Sequence, residues 1–473
     1  MAIISYTHEG FDAHLPLLII GAGACGLVAA LAAQKAGVEL AVLERDSLPR
    51  GSTAMSSGFI PGANTRFQHE LGVTDSADAM AEDIQKKNGF EADPAIVELL
   101  ASQSGPTIEW LADQHGVPFE LVEGFLYPGH RHLRMHATPR RTGEELMGAL
   151  LNAAESVGID ILAQARVVDL YVDATQRVRG ITLERPDGSR ETIGCDALIL
   201  ACNGYGGNVE LVERYLPTLK NALYYGHEGN QGDALLWGQA MGASTKDLGA
   251  CQGHGSLATP HQILISWALM MQGGIQVNLN GERFSNEHGG YSEQAAKVLA
   301  QPDQVAWNLY DARIHESAQA FEDYRNAQES GAVRSFASIE EMATGLGLPL
   351  TTLQDTFAEM QQHAEQQTTD TFGRRFEPAN LLKPPYYAIR VTGALFHTQG
   401  GLEVNRTARV LNTQGQALPN LFAAGGAARG VSGSNDSGYL SGNGLLSAVV
   451  LGAVAGRSAA ELLHLQLSSA VLP

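Results

Sequence analysis

Cysteine is scarce in this chain: four residues among 473, Cys25, Cys195, Cys202 and Cys251. None stands in a C-x-x-C or C-x-x-C-H arrangement, which excludes a disulfide framework, a cysteine-built zinc site and a c-type haem attachment, and a reducing cytoplasm is the expected compartment. Basic residues are few as well. Thirty-one Lys and Arg against 51 Asp and Glu give a net charge of -20, which argues against nucleic acid or an anionic membrane surface as main partner. Long apolar runs are missing. The first residues, "MAIISYTHEGFDAHLP", carry no basic segment ahead of an apolar core, and the apolar stretch from Leu445 is interrupted by Gly452 and Gly456, so neither a signal peptide nor a transmembrane span is expected.

What the chain does have is length, 44% hydrophobic residues and 53 glycines, enough for a large core and, by size, two domains. The stretch "LPLLIIGAGACGLVAALAAQKAGVELAVLERD" is an apolar run, a glycine turn, a helical small-residue pattern, a turn at Gly37 and a second apolar run ending at Glu44. That is a βαβ unit. Its turn, Gly21-Ala22-Gly23-Ala24-Cys25-Gly26, has the G-x-G-x-x-G spacing that lets a pyrophosphate approach the backbone at a helix N-terminus, and Glu44 closes the second strand where a carboxylate accepts ribose hydroxyls. An ordinary βαβ unit with a glycine turn fits the same residues.

Further motifs follow in order: "GSTAMSSG" from Gly51, "CNGYGGN" from Cys202, "GNQGDAL" from Gly229, "GERFSNE" from Gly281, "HTQGG" from His397, "LFAAGG" from Leu421 and "GYLSGNG" from Gly438. This ordered set, over nearly the whole chain, resembles the succinate dehydrogenase/fumarate reductase flavoprotein superfamily, which includes the 3-ketosteroid dehydrogenases. The resemblance implies an α/β fold: a Rossmann-like FAD-binding domain of the glutathione-reductase type, residues 1–250 and 379–473, interrupted by an inserted α+β capping domain, 251–378. Within the insertion, Ile339, Met342 and Leu346, then Leu350, Leu353, Phe357 and Met360, space two helices about a turn at Gly347 and Pro349.

The same resemblance implies FAD and the residues that hold it: Gly21, Gly23, Cys25 and Gly26 in the first turn, then Glu44 and Arg45. Ser52, Thr53, Ser57 and Gly58 would run along the ribityl chain, with Val167, Asn203, Gly204 and Asp233 around the dinucleotide. Gly425, Gly426, Asn443 and Leu445 would complete the set. Asp233 equally fits the cap of the helix it opens. Relatives with covalent flavin carry a histidine in the stretch matching Gly51 to Gly58; none is present here, so non-covalent FAD is expected. Without haem cysteines, electrons pass to or from an external acceptor.

For the chemistry, fumarate reductases resemble this chain at His397-Thr398 and Asn286-Glu287. Their carboxylate-clamping arginine is matched by Tyr439, and their proton-donating arginine by His315, with Arg313 two residues away. A phenol cannot form the charged bidentate pair that arginine forms with a carboxylate. Ketosteroid dehydrogenases resemble the chain at these positions, which implies Tyr439 as carbonyl holder beside Ser441 and Gly442, Tyr291 as base and Tyr127 as supporting phenol; His397, a departure from that pattern kept from the fumarate reductase one, suits a substrate that carries an acid or a second carbonyl. An unperturbed phenol titrates near pH ~10, so a tyrosine base needs a lowered pKa or a relay. All three rings also suit plain packing. In "GHRHLRMHATPRR", Arg134 and His136 resemble a family Arg-x-His pair able to bind a substrate carboxylate; the alternative is a segment paired with the protein's own acids. The expected activity is an FAD-dependent dehydrogenase that introduces an α,β double bond into a cyclic ketone or keto acid. Reduction of an unsaturated carboxylic acid and service as an electron-transfer flavoprotein subunit are the alternatives.

Overall fold

The apolar run ahead of the glycine turn is buried because it sits between two parallel neighbours in the middle of a mixed sheet. In the computed structural model, which describes residues 2–7 and 10–470, strand β1 (Ala13–Ile20) enters helix α1 (Ala24–Lys35) and returns as β2 (Leu40–Leu43). Strands β3 (Asp160–Leu162) and β4 (Arg190–Leu200) extend the sheet, whose order is Ala2–Ser5, Arg166–Val172, Val178–Glu184, β4, β1, β2, β3. Leu17 to Ile20 pair in parallel with Leu40 to Leu43 on one side and with Ala197 to Leu200 on the other. Strands covered on both faces read as continuous apolar runs, not as alternation. Helix α1 is buried from Ala24 to Ala33, so small apolar residues occupy its whole circumference.

A second, mostly antiparallel sheet follows, built on β5 (Cys251–Ala258), β6 (Val305–Asp311) and β7 (Tyr386–Thr398), with helix α2 (Tyr291–Leu299) laid across β5 and β7. Glycine makes that approach possible: a side-chain carbon at Gly253 of β5 would lie 2.5 Å from the Ser292 carbonyl oxygen, and one at Gly393 of β7 would run into that of Ala295. Helices Ile339–Leu346 and Leu350–Gln366 form as the spacing predicts, and Gly347 turns between them at φ 72°. Strand β8 (Ala417–Ala423) then rejoins the first sheet in parallel beside β4. Each sheet has its own buried apolar cluster. The domain boundaries at 250 and 379 are our proposal; the second sheet runs from Leu223–Tyr224 to β7, and Met1, His8, Glu9 and residues 471–473 lie outside the described residues.

The glycines at 452 and 456 do not interrupt the last helix. It starts as Asn443–Leu446, passes a π turn at Ser447–Leu451 and continues as α3 (Gly452–Ala470). A side-chain carbon at Gly452 would lie 2.7 Å from the Cys25 carbonyl oxygen, and one at Gly456 would strike that of Ala29. Both glycines therefore serve close packing on α1. Among the described residues, Asn443–Ser468 is the one helix long and apolar enough to cross a membrane, and 67% of its apolar window is buried in this fold.

Candidate active site

A cavity with about 1740 Å³ of space free of protein atoms, part of it open to solvent, runs from the glycine turn of β1 to α2 and the start of the last helix. Its lining joins the glycine turn to the rings at the start of the last helix, so one continuous cavity reaches both ends. At the first end the wall is backbone. Gly21 has φ 103°, and a side-chain carbon there would lie 2.6 Å from the Ala201 carbonyl oxygen; one at Gly26 would run into the Gly21 carbonyl. Gly23 begins α1 with no side-chain cap. Glu44 is buried, accepting hydrogen bonds from the Ala22 and Asp46 amides at 3.0 Å each, with lone pairs left for hydroxyl groups. Oδ1 of Asp233 is buried in this wall without a partner, and burial raises its carboxyl above the ordinary range. Open glycine backbone, a fixed carboxylate and an orphaned carboxyl oxygen fit a dinucleotide.

Most residues expected at the cofactor do line the cavity: Cys25, Arg45, Ser52, Thr53, Ser57, Gly58, Val167, Asn203, Gly425, Gly426 and Leu445, besides Gly21, Gly23, Glu44 and Asp233. Gly26, Gly204 and Asn443 stand behind the wall. A side-chain carbon at Gly204 would meet the Thr398 hydroxyl, and Asn443 is buried with its amide donating to Ser432 Oγ at 3.2 Å. These three shape the cradle and do not face the cavity.

At the other end the wall is made of rings. Tyr439 follows the turn Asp436–Gly438, and its Oη accepts the Gly444 amide at 3.3 Å. Tyr291 opens α2, its ring centroid 6.1 Å from that of Tyr439 and 6.3 Å from that of Tyr127. Tyr127 Oη lies 3.4 Å from Ser266 Oγ. His397 on β7 packs edge-on against Tyr439, and Ser441 and Gly442 complete this corner. Burial raises all three phenols, Tyr439 and Tyr127 to about 12 and Tyr291 well above the usual phenol range. Tyr291, raised by burial beside Tyr439, is thus not the lowered phenol that a base requires. Burial also takes His397 down to about 4, so it is a neutral imidazole near pH 7.

Several expected residues lie elsewhere. Arg134 is fully buried and bound to Asp75 through Nε (2.6 Å) and Nη2 (2.8 Å) and to Asp83 through Nη1 (2.5 Å). His136 lies between Thr65 Oγ1 and the Arg134 carbonyl, each at 2.8 Å. Neither reaches the cavity, because acids on the preceding helical segment satisfy the charge a substrate carboxylate was expected to meet. Arg131 and Arg140 likewise pair with Asp83 and Glu322. His315 bonds Tyr324 Oη at 2.7 Å and stacks on Tyr387, while Arg313 is a largely exposed neighbour of Asp311. Glu287 is locked between Arg283 and Arg374; burial alone would raise its carboxyl, but the two guanidinium groups hold it at about 2.

The wall residues that were not anticipated include His254 and Trp267. His254 on β5 stacks on Tyr291 (4.7 Å) and on Phe396 (5.2 Å), and its Nδ1 accepts the Ser256 amide at 3.1 Å. Burial lowers it to about 3. Trp267 is held by a bond from Nε1 to the Glu287 carbonyl at 2.9 Å. The available signal was the glycine alternation of "CQGHGS", which marks a strand approached closely by a helix.

The sequence model of the FAD binding domain family matches residues 17–445. Over 445 residues, 94% of this chain and 74% of the relative, the protein is 31% identical to a probable fumarate reductase of Shewanella frigidimarina (strain NCIMB 400). Among solved structures it resembles the open conformation of a flavocytochrome c3 fumarate reductase (TM-score 0.80, 30% identity, 96% of this chain and 79% of that one). It also resembles a 3-ketosteroid-Δ4-(5α)-dehydrogenase from Rhodococcus jostii RHA1 in complex with 4-androstene-3,17-dione (TM-score 0.76, 26% identity, 97% and 99%).

Proposed function

The chain belongs to the FAD binding domain family, as an FAD-dependent oxidoreductase of the succinate dehydrogenase/fumarate reductase type, and from that premise we propose that it reduces the carbon–carbon double bond of a ring-bearing α,β-unsaturated carbonyl compound, acid or ketone. One observation carries this reading: two buried phenols, Tyr291 and Tyr439, and the half-buried Tyr127, all protonated at pH 7, converge with the Gly444 amide in the cavity, and the only arginines among its described lining residues are Arg45 and Arg166 at the cofactor end. The glycine cradle would hold FAD, which in its reduced form would supply the hydride, with its two electrons drawn from an external donor.

Tyr439 Oη and the amides at the start of the last helix would hold the substrate's carbonyl oxygen as negative charge develops there. Tyr291 would then donate a proton to the α carbon. A phenol held protonated by burial suits a donor and not a base, and the relatives named as fumarate reductases support the same direction. Desaturation, the activity expected from the ketosteroid dehydrogenase resemblance at Tyr439, Tyr291 and Tyr127, is therefore the second reading. It draws support from the ketosteroid dehydrogenase likeness and uses the same groups in reverse. His397 and His254, both neutral at pH 7, offer hydrogen bonds but no charge, so a small dicarboxylate would lack a cationic partner. The rings of Tyr127, His254, Trp267 and Phe396 favour a flat cyclic substrate.

The test is an anaerobic assay in which a reduced dye feeds the enzyme. Cyclic enones and ring-bearing acrylic acids should oxidise the dye at least ~10-fold faster than fumarate, about 1.4 kcal/mol in the barrier. Fumarate turning over faster than every ring-bearing compound would overturn the substrate class. Bleaching of the oxidised flavin by saturated cyclic ketones, with no dye oxidation by any enone, would replace the first reading with the second.

A further inference from the structure

The segment Gly129–Met135 is the seat of the loop that carries Tyr439. A side-chain carbon at Gly129 would lie 2.6 Å from Leu440 Cδ1, and one at Gly442 would lie 3.4 Å from Met135 Sδ. Between these contacts the buried His130 places Nε2 3.0 Å from the Ser441 carbonyl oxygen. Its Nδ1 is buried without a partner. Burial, and then the charge of Arg134, hold the ring neutral, at about 4. A neutral imidazole has one N–H, and the carbonyl can only accept, so the proton sits on Nε2 and His130 donates to Ser441.

A peptide unit is planar, and in the trans form its C=O and N–H point to opposite sides. Ser441–Gly442 is trans, and Gly442 takes φ 86°, a conformation that glycine alone adopts freely. With the Ser441 carbonyl turned toward His130, the Gly442 N–H turns the other way, toward Tyr439, where with the Gly444 amide it pulls against the rise that burial gives that phenol. The Gly444 amide reaches the same phenol oxygen. Resting on the functional reading above, we infer that His130 is a positioning residue: by donating to the Ser441 carbonyl it aims the Gly442 N–H at Tyr439 and so sets the group of donors that would receive the substrate's carbonyl oxygen. It touches neither substrate nor cofactor.

The experiment compares His130→Phe, which keeps the ring and loses the donor, with His130→Gln, which keeps a donor, both as holoenzyme. FAD content and melting temperature establish that each variant is folded, and His130→Leu replaces His130→Phe if that variant loses flavin. Expected for His130→Phe is a kcat lower by ~10²-fold, the scale of one lost oxyanion donor, with KM within about threefold, and substantial recovery in His130→Gln. A second readout needs no substrate. With 3-fluorotyrosine at position 439, the fluorine resonance should move in His130→Phe and stay at the wild-type position in His130→Gln. An unmoved resonance in His130→Phe, or equal losses of kcat in both variants, overturns the inference. If the wild type reduces none of the compounds tested, the functional reading falls while the fluorine signal still decides the role of His130.

Discussion

The two ends of the cavity are built in opposite ways. At the cofactor end the wall is main chain: Gly21, Gly23 and Gly58 bring backbone to the surface, and a carbon added at Gly21 or Gly26 meets a carbonyl oxygen. At the substrate end the wall is rings delivered by four distant parts of the chain, with Tyr127 from a loop, His254 from β5, Tyr291 from α2 and Tyr439 from the turn before the last helix. The first kind of wall is specified largely by the contiguous unit from Leu15 to Asp46 and has no spare volume. The second depends on how both sheets come together, and its side chains can be exchanged one at a time while the backbone stays.

That contrast predicts graded responses. The largest comes from the cradle. Gly26→Val should yield protein with no bound FAD after gel filtration, because the Gly21 carbonyl has nowhere to retreat; retention of a full complement of flavin would break the comparison. Next are the rings. Tyr439→Phe and Tyr291→Phe should each keep FAD content and melting temperature near wild type while turnover falls by about 10²-fold, the usual scale for a lost proton donor or oxyanion donor, and unchanged rates in both would reduce the rings to packing. The smallest effect belongs to Glu44, whose two amide bonds lie beside the cofactor and not in its path. Glu44→Ala should weaken FAD binding about 10-fold, the equivalent of one to two hydrogen bonds, measured by flavin release on dilution. The rate of the flavin that stays bound should not change. Release of that flavin by heat or acid would agree with non-covalent attachment, and flavin remaining on the precipitated protein would exclude it.

The same contrast explains what could be read from the sequence. The cradle was legible because strand, turn, helix and terminal acid are contiguous between Leu15 and Asp46. Tyr439, Tyr291 and Tyr127 were legible as positions in ordered motifs, and they do meet. Their titration was not, since it depends on burial beneath a second sheet. Arg134 misled for a related reason: its acids, Asp75 and Asp83, lie 59 and 51 residues away, so a run dense in positive charge looked free when its central member was already neutralised. His254 escaped notice because nothing local distinguishes a histidine that faces a cavity from one that faces a core. Gly452 and Gly456 looked like interruptions only while their neighbour on α1 was unknown.

Those two glycines also give the last helix the character of a gauge. Its beginning presents the Gly444 amide to Tyr439, while Gly452 and Gly456 lock it against α1, whose own beginning forms part of the dinucleotide cradle. One rigid rod thus spans both ends of the reaction. A slip by a single residue would move its tip by ~1.5 Å, and displacements of ~1 Å are enough to cost a reaction ~10²-fold. On the proposed function, two positions without side chains would therefore set the spacing between the dinucleotide cradle and Tyr439.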